Sequence, residues 1–337
     1  MILQFLTQII LASTLLQVFP VDVSDIERLA TQSKKQAPSL YNFFTLPNAH
    51  LSPSTNAAPT KIRPNSLGVV TSAESAIVVD RKTKQILFQK NIDTPRSIGS
   101  ITKLMTAFVF LSTNPDLGAP AKLQAEDFRA GGVQHIGFGD DATVKDVLYA
   151  SLISSDNSAT AALARLSGMS IQDFVTKMNK TAVSMGMEHT HFADPTGLSP
   201  RNESIVSDLV KLLDVVAQNE IIRDATAHDQ FTITTASGKT YDLKSTDQLL
   251  LSFINQPPYR IIAGKTGFLP EAGYCLGTVL NHEGAGDIIV VVLGSETNED
   301  RFQDIKSLAV WSYQTFKWNG QLTYDPRNPQ LDPLRTQ

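Results

Sequence analysis

The chain is 337 residues long, with 29 Lys and Arg against 33 Asp and Glu, a net charge of −4. Apolar residues make up 42% of it, enough for a sizeable core, so wholesale disorder is excluded. The mild acidity gives no electrostatic case for nucleic-acid binding, and the single cysteine, Cys275, excludes a disulfide framework and a cysteine-based zinc site.

Met1 to Phe19 carries no charge and is rich in Ile, Leu, Val and Phe. As a helix it would span roughly 28 Å, about one hydrocarbon core. Gln4, Gln8 and Gln17 weaken that pattern, no Lys or Arg precedes it, and Arg28, Lys34 and Lys35 follow it. Two readings stay open: an export signal or uncleaved membrane anchor over residues 1–20, which we adopt, and a buried or amphipathic N-terminal helix. Residues 21–66 hold Pro38, Pro47, Pro53, Pro59 and Pro64 among Ser, Asn and Ala, which predicts a linker with little regular structure. Residues 319–337 read as a similar tail.

Residues 67–318 form the expected folded domain. Ser75–Asp80 and Gln85–Lys90 are apolar runs around the polar Arg81–Lys84, a β-hairpin signal. Ile101–Leu111 is apolar nearly all round, which predicts a buried helix. Helical patterns follow over Val144–Leu166, Ile171–Met185 and Ser207–Val216. Gly273–Leu280 and Asp287–Gly294 read as strands, the second buried on both faces, and Glu299–Phe316 as a closing amphipathic helix. Strands at both ends with helices between predict an α/β domain: one antiparallel sheet of about five strands flanked by helices, with an all-helical lobe inserted between about Leu111 and Ala225.

Three short motifs carry possible chemistry. Ser100-Ile-Thr-Lys103 sits where the hairpin hands over to the buried helix, and residues i and i+3 share a helix face. Serine there is ordinarily an N-cap. Lys103 is harder to explain structurally, because burying an ammonium costs several kcal/mol unless it is paired or used. Desolvation lowers a lysine pKa and makes it a base able to activate Ser100. Ser155-Asp156-Asn157 is a weak pattern, and Ser-x-Asn recurs at Ser54 and Ser112. By itself it reads as a helix-boundary cluster. Lys265-Thr266-Gly267 precedes the strand beginning near Gly273. A glycine on an edge strand admits another backbone, while the lysine and threonine could hold a carboxylate. Its structural reading is a solvated strand end.

In this order, the three motifs resemble the signature of the penicillin-interacting serine acyl-enzymes. The chain is similar to the serine-type D-alanyl-D-alanine carboxypeptidase/endopeptidase family of low-molecular-mass penicillin-binding proteins. The segments Arg96–Ala107, His191–Leu198 and Gly264–Gly273 extend the likeness, which covers roughly Ser72 to Trp318. It implies that Ser100 attacks the D-Ala-D-Ala carbonyl and Lys103 takes the hydroxyl proton, with Lys265 keeping Lys103 neutral by like-charge repulsion. Ser155 relays a proton to the leaving amine, and Asn157 holds the peptide amide or Lys103. Lys265 and Thr266 read the terminal carboxylate beside Gly267, and the amides of Ser100 and Phe268 form the oxyanion hole. The implied partners are peptidoglycan stem peptides and β-lactam antibiotics, met outside the cytoplasmic membrane to which the N-terminal segment tethers the enzyme. No metal or cofactor is implied.

A class A β-lactamase shares the motifs but adds a Glu-x-x-Leu-Asn loop between the second and third. Here the glutamates in that interval, Glu188, Glu203 and Glu220, are not followed by Leu-Asn. A catalytically silent peptidoglycan-binding module would be betrayed by loss of Ser100, Lys103 or Lys265, and all three stand. The six histidines show no metallopeptidase spacing. Cys275 lies inside a strand and reads as a buried structural thiol. The resemblance leaves two reactions open. Carboxypeptidase members often carry a further β-rich domain, and the single-domain form is similar to the endopeptidases that cut D-Ala–diaminopimelate crosslinks. Trimming of uncrosslinked pentapeptides needs the smaller acceptor site and is the reading adopted.

Overall fold

A computed structural model describes residues 57–318. The expected signal or anchor, the linker up to residue 56 and the tail lie outside the described residues.

The rest of the expected linker departs from expectation. Thr60–Lys61 pairs antiparallel with Phe316–Lys317, and Trp311 Nε1 donates to Ser66 Oγ at 2.7 Å. A two-residue strand among prolines has no periodicity to read, and its partner lies at the far end of the domain.

β1 (Ser75–Asp80) and β2 (Ile86–Lys90) form the expected hairpin. A 3-10 turn, Gly99–Ile101, leads into α1 (Thr102–Leu111), buried on almost every side. The Val144–Leu166 pattern divides into α2 (Val144–Ile153) and α3 (Asn157–Leu166). The Thr143 and Asp146 side chains cap the start of α2 reciprocally, and Asp156 Oδ1 accepts from Ala159 N at 2.9 Å to cap α3. α4 (Ile171–Ser184), α5 (Val206–Val216) and α6 (Glu220–Ala227) complete the helical block.

The lobe is not all helical. Pro120–Ala121 pairs with Ala142–Thr143 within it. Beyond the expected end of the lobe, after α6, comes an unexpected hairpin, β3 (Gln230–Thr234) and β4 (Thr240–Lys244). Only Ile233 and Leu243 of that hairpin are buried, so its apolar alternation is too thin to announce it.

β5 (Tyr259–Leu269), β6 (Gly273–His282) and β7 (Asp287–Ser295) then join the first hairpin in a five-stranded antiparallel sheet, ordered β5-β6-β7-β1-β2. α7 (Asn298–Thr315) closes the chain against it. The α/β architecture of a five-stranded sheet with packed helices matches the expectation.

Side-chain alternation explains the layers. Ile77, Val79, Val279, Ile289 and Val291 join the large core shared with α1 and α5. Their neighbours Val78, Leu276, Ile288 and Val290 are equally buried but lie outside that cluster, as do Phe302, Ile305 and Leu308 of α7. Helices thus cover both faces, which is why β7 reads as an unbroken Ile-Ile-Val-Val-Val-Leu run. β5 is left at the edge, beside the 3-10 turn that carries Ser100.

Candidate active site

Three backbones meet at the 3-10 turn that carries Ser100, just ahead of α1. A Cβ on Gly267 would stand 2.3 Å from Ile98 O and 3.3 Å from Ser100 N. One on Gly99 would stand 2.8 Å from Phe268 N, and one on Gly197 2.2 Å from Gly99 O. Gly99 and Gly197 also hold φ of +51° and +85°, open to glycine at little cost. The glycines therefore bring the Ser100 and Phe268 amides close together and set them against the loop of Gly197.

Lys103 lies beneath Ser100, fully buried. Its Nζ donates to Ser100 Oγ at 2.9 Å, Asn157 Oδ1 at 2.7 Å and Thr196 O at 2.5 Å. Burial pulls its pKa down to about 7, against the opposing pull of Asp194 and Asp156. At neutral pH much of it is a free amine, whose lone pair can accept the Ser100 proton across the same 2.9 Å. Desolvation is the chief cause. The like-charge repulsion expected between the two ammoniums shows on Lys265, whose own pKa is pushed well below the ordinary value, first by burial and then by Lys103.

Ser155 occupies the break between α2 and α3 with φ of +60°, a left-handed conformation a serine adopts only under constraint. That twist turns its hydroxyl to Lys265 Nζ, 2.9 Å away. Asn157, the first residue of α3, is engaged on both sides, since its Nδ2 donates to Gly131 O at 2.7 Å. Thr266 Oγ1 is 2.5 Å from Thr246 Oγ1. Phe268 is half exposed at the rim and stacks on Tyr274, centroids 4.4 Å apart.

All eight expected residues thus gather around one cleft. A cavity of about 480 Å³ is lined by Ser100, Ser155, Asn157, Thr266, Gly267 and Phe268, with Lys103 and Lys265 buried beneath. Sequence reasoning missed five contributors. Asp194 accepts from the amides of Thr196, Gly197 and Ser199 and so aims the Thr196 carbonyl at Lys103. Gly131 and Gly132 form the lip opposite Asn157. Thr246 lines the wall beside Thr266. Arg301, on α7, lines the same cavity, and its Nη1 donates to Gly267 O at 3.0 Å. Its Nε is buried without a partner. Arg301 sits among Glu299, Asp300 and Asp304 on a charged helix, so its sequence surroundings are those of a solvated face.

Comparison with known proteins agrees with this geometry. The family model described as D-alanyl-D-alanine carboxypeptidase matches residues 61–297. The D-alanyl-D-alanine endopeptidase of Escherichia coli (strain K12) is 32% identical over 264 residues, covering 76% of this chain and 81% of the relative. The D-alanyl-D-alanine carboxypeptidase DacF of Bacillus subtilis (strain 168) is 28% identical over 251 residues, covering 73% and 63%. The crystal structure of the Streptomyces K15 DD-transpeptidase superposes with a TM-score of 0.67 at 28% identity, covering 73% of this chain and 99% of that one. The chain belongs to the D-alanyl-D-alanine carboxypeptidase family of serine peptidases.

Proposed function

We propose that the protein is a serine D,D-carboxypeptidase that releases the terminal D-Ala of peptidoglycan stem peptides through an acyl-enzyme, and that β-lactams acylate the same serine. The observation that carries the reading is Lys103 Nζ, fully buried, 2.9 Å from Ser100 Oγ and close to half-deprotonated at neutral pH. Ser100 Oγ attacks the penultimate D-Ala carbonyl as its proton passes to Lys103. The oxyanion is met by the Ser100 and Phe268 amides. Ser155, in contact with Lys265, passes its proton to the departing amine and takes up the one held by Lys103, so the C–N bond breaks to free D-Ala and Lys103 is again a neutral base. Lys265, Thr266 and Arg301 read the substrate's terminal carboxylate. Water, deprotonated by Lys103, then attacks the ester and restores Ser100. The apolar segment 1–20 tethers the enzyme outside the cytoplasmic membrane, where the peptidoglycan lies.

A second reading, D,D-endopeptidase cutting of D-Ala–diaminopimelate crosslinks, is favoured by the 32% identity to the E. coli endopeptidase. Intact mass spectrometry after benzylpenicillin, beside Ser100→Ala, tests the acyl-enzyme: one stable adduct is expected, absent in the variant. Drug consumed without adduct would mean a β-lactamase, and drug untouched a silent module. Digestion of purified muropeptides then separates the readings by free D-Ala against monomers released from crosslinked dimers.

A further inference from the structure

Asp247 is a buried acid that the proposed reaction does not use. It follows Thr246, whose hydroxyl meets Thr266. Its Oδ1 accepts from Leu249 N at 3.0 Å and caps the 3-10 turn Gln248–Leu251. Its Oδ2 is buried with no partner. A Cβ on Gly264 would stand 3.1 Å from that oxygen and 3.3 Å from Thr278 Oγ1. The carboxylate is therefore pressed against the edge strand one residue before Lys265, in space that Gly264 leaves open.

A buried carboxylate with an orphan oxygen is unfavourable unless cations balance it. Among the described residues, the charged groups whose fields reach Asp247 are Arg301 on α7 and Lys265 on β5. Both cations are buried, and Asp247 in turn acts on each. Thr278 Oγ1, beside the same point on Gly264, is a neutral hydroxyl. Burial holds Asp247 well above the carboxylate range, at about 6, even with both cations near.

A docking substrate adds a second negative charge to this group of two cations and one acid. Two carboxylates sharing one buried site cannot both stay ionised cheaply, so one gains a proton. The substrate carboxylate sits in the open cleft, where its charge is solvated and directly bonded. Asp247 is the partner enclosed in protein.

We propose that Asp247 is a positioning residue for the carboxylate site: it supplies the counter-charge of Lys265 and Arg301 in the free enzyme, and takes up one solvent proton when the substrate carboxylate docks between those cations. The inference rests on the reading of Lys265 and Arg301 as carboxylate readers. It makes substrate affinity fall as pH rises above the range in which Asp247 titrates, through KM and not through the chemical step.

The test is KM and kcat against pH for a diacylated L-Lys-D-Ala-D-Ala tripeptide and for the same peptide ending in an amide. The enzymes are wild type and Asp247→Asn, which keeps the Leu249 cap. Wild-type KM for the acid should rise up to tenfold per pH unit above about 6. In Asp247→Asn that rise should flatten, while the kcat limb of Lys103 near 7 stays in place. A variant that keeps the wild-type rise overturns the inference and leaves the carboxylate reading standing. Equal handling of acid and amide by wild type overturns that reading and the inference with it. Should Asp247→Asn misfold, calorimetry on Ser100→Ala enzyme in buffers of different ionisation enthalpy decides. Uptake of about one proton per tripeptide at pH 7.5 is expected, and no uptake overturns the inference.

Discussion

The centre of the sheet and its edge follow opposite rules. β7 and β1 pair Ile, Val, Leu and Ala residues over most of their length, nearly all fully buried, with helices on both faces and buried Ser75 and Asp80 only at the ends of the ladder. β5, two strands away, carries Gly264-Lys265-Thr266-Gly267 in equal burial, and beside it lie Asp247, Arg301 and Lys103. The centre gains free energy from every methyl it hides, roughly 25 cal/mol per Å² of apolar surface. The edge hides charges that cost several kcal/mol each before pairing. The domain therefore spends stability at its edge to hold a reactive geometry that water would dissolve, and its centre must supply the difference.

That contrast can be broken from either side. The largest effect is expected at the edge. Ser100→Ala, and separately Lys103→Met, should lower the benzylpenicillin acylation rate by about 10⁴-fold or more, as losses of a nucleophile or its base do. Thermal unfolding of Ser100→Ala should change little, and Lys103→Met should show only a modest fall, since the loss of a buried ammonium offsets part of the roughly 1–3 kcal/mol for stranding the Asn157 Oδ1 and Thr196 O acceptors. A large fall in Tm for Lys103→Met would show that the lysine is structural. At the centre the signs reverse. Ile289→Ala should cost about 2–5 kcal/mol in denaturant unfolding, while the folded fraction acylates at the wild-type rate. A matching loss of acylation rate would show that centre and edge are one mechanical unit.

A milder test uses pH. Lys103 works as a base only when deprotonated, and its pKa is held near 7. The acylation step should therefore fall about tenfold per unit as pH drops below 7 and level off above it. A limb near the ordinary lysine value would mean the ammonium is better solvated than its burial implies. The smallest expected effect is at Cys275, which is free and fully buried, its thiol pushed up to about 11 by burial. A thiol reagent at pH 8 should label it only as fast as the protein unfolds, with no loss of acylation before that.

The same contrast explains what could be read in advance. The central strands announce themselves because β-branched runs have few other homes. Lys103 stands out because a lysine inside an apolar helix contradicts its local pattern, whereas Ser100 and Lys265 by themselves read as an N-cap and a solvated strand end. Ser155 and Asn157 were legible only through their company, since nothing in Ser-Asp-Asn foretells the left-handed turn that aims the hydroxyl at Lys265. Arg301 and Asp247 were not legible at all. Their neighbours in sequence are those of an exposed helix and a polar turn, and only the closing of α7 and the 248–251 turn over the edge strand buries them. The hairpin β3–β4 and the Thr60–Lys61 strand escaped for want of buried side chains to set a period.

One of those inconspicuous elements has a consequence for engineering. Thr60 and Lys317 face each other across a two-residue ladder, so the chain enters and leaves the domain at neighbouring points. Joining residues 57 and 318 by a short glycine-serine bridge and opening the chain at the exposed Gly284, between β6 and β7, makes a circular permutant. It should keep the sheet register and the penicillin-reactive serine, because no central pairing depends on the order in which the chain visits it.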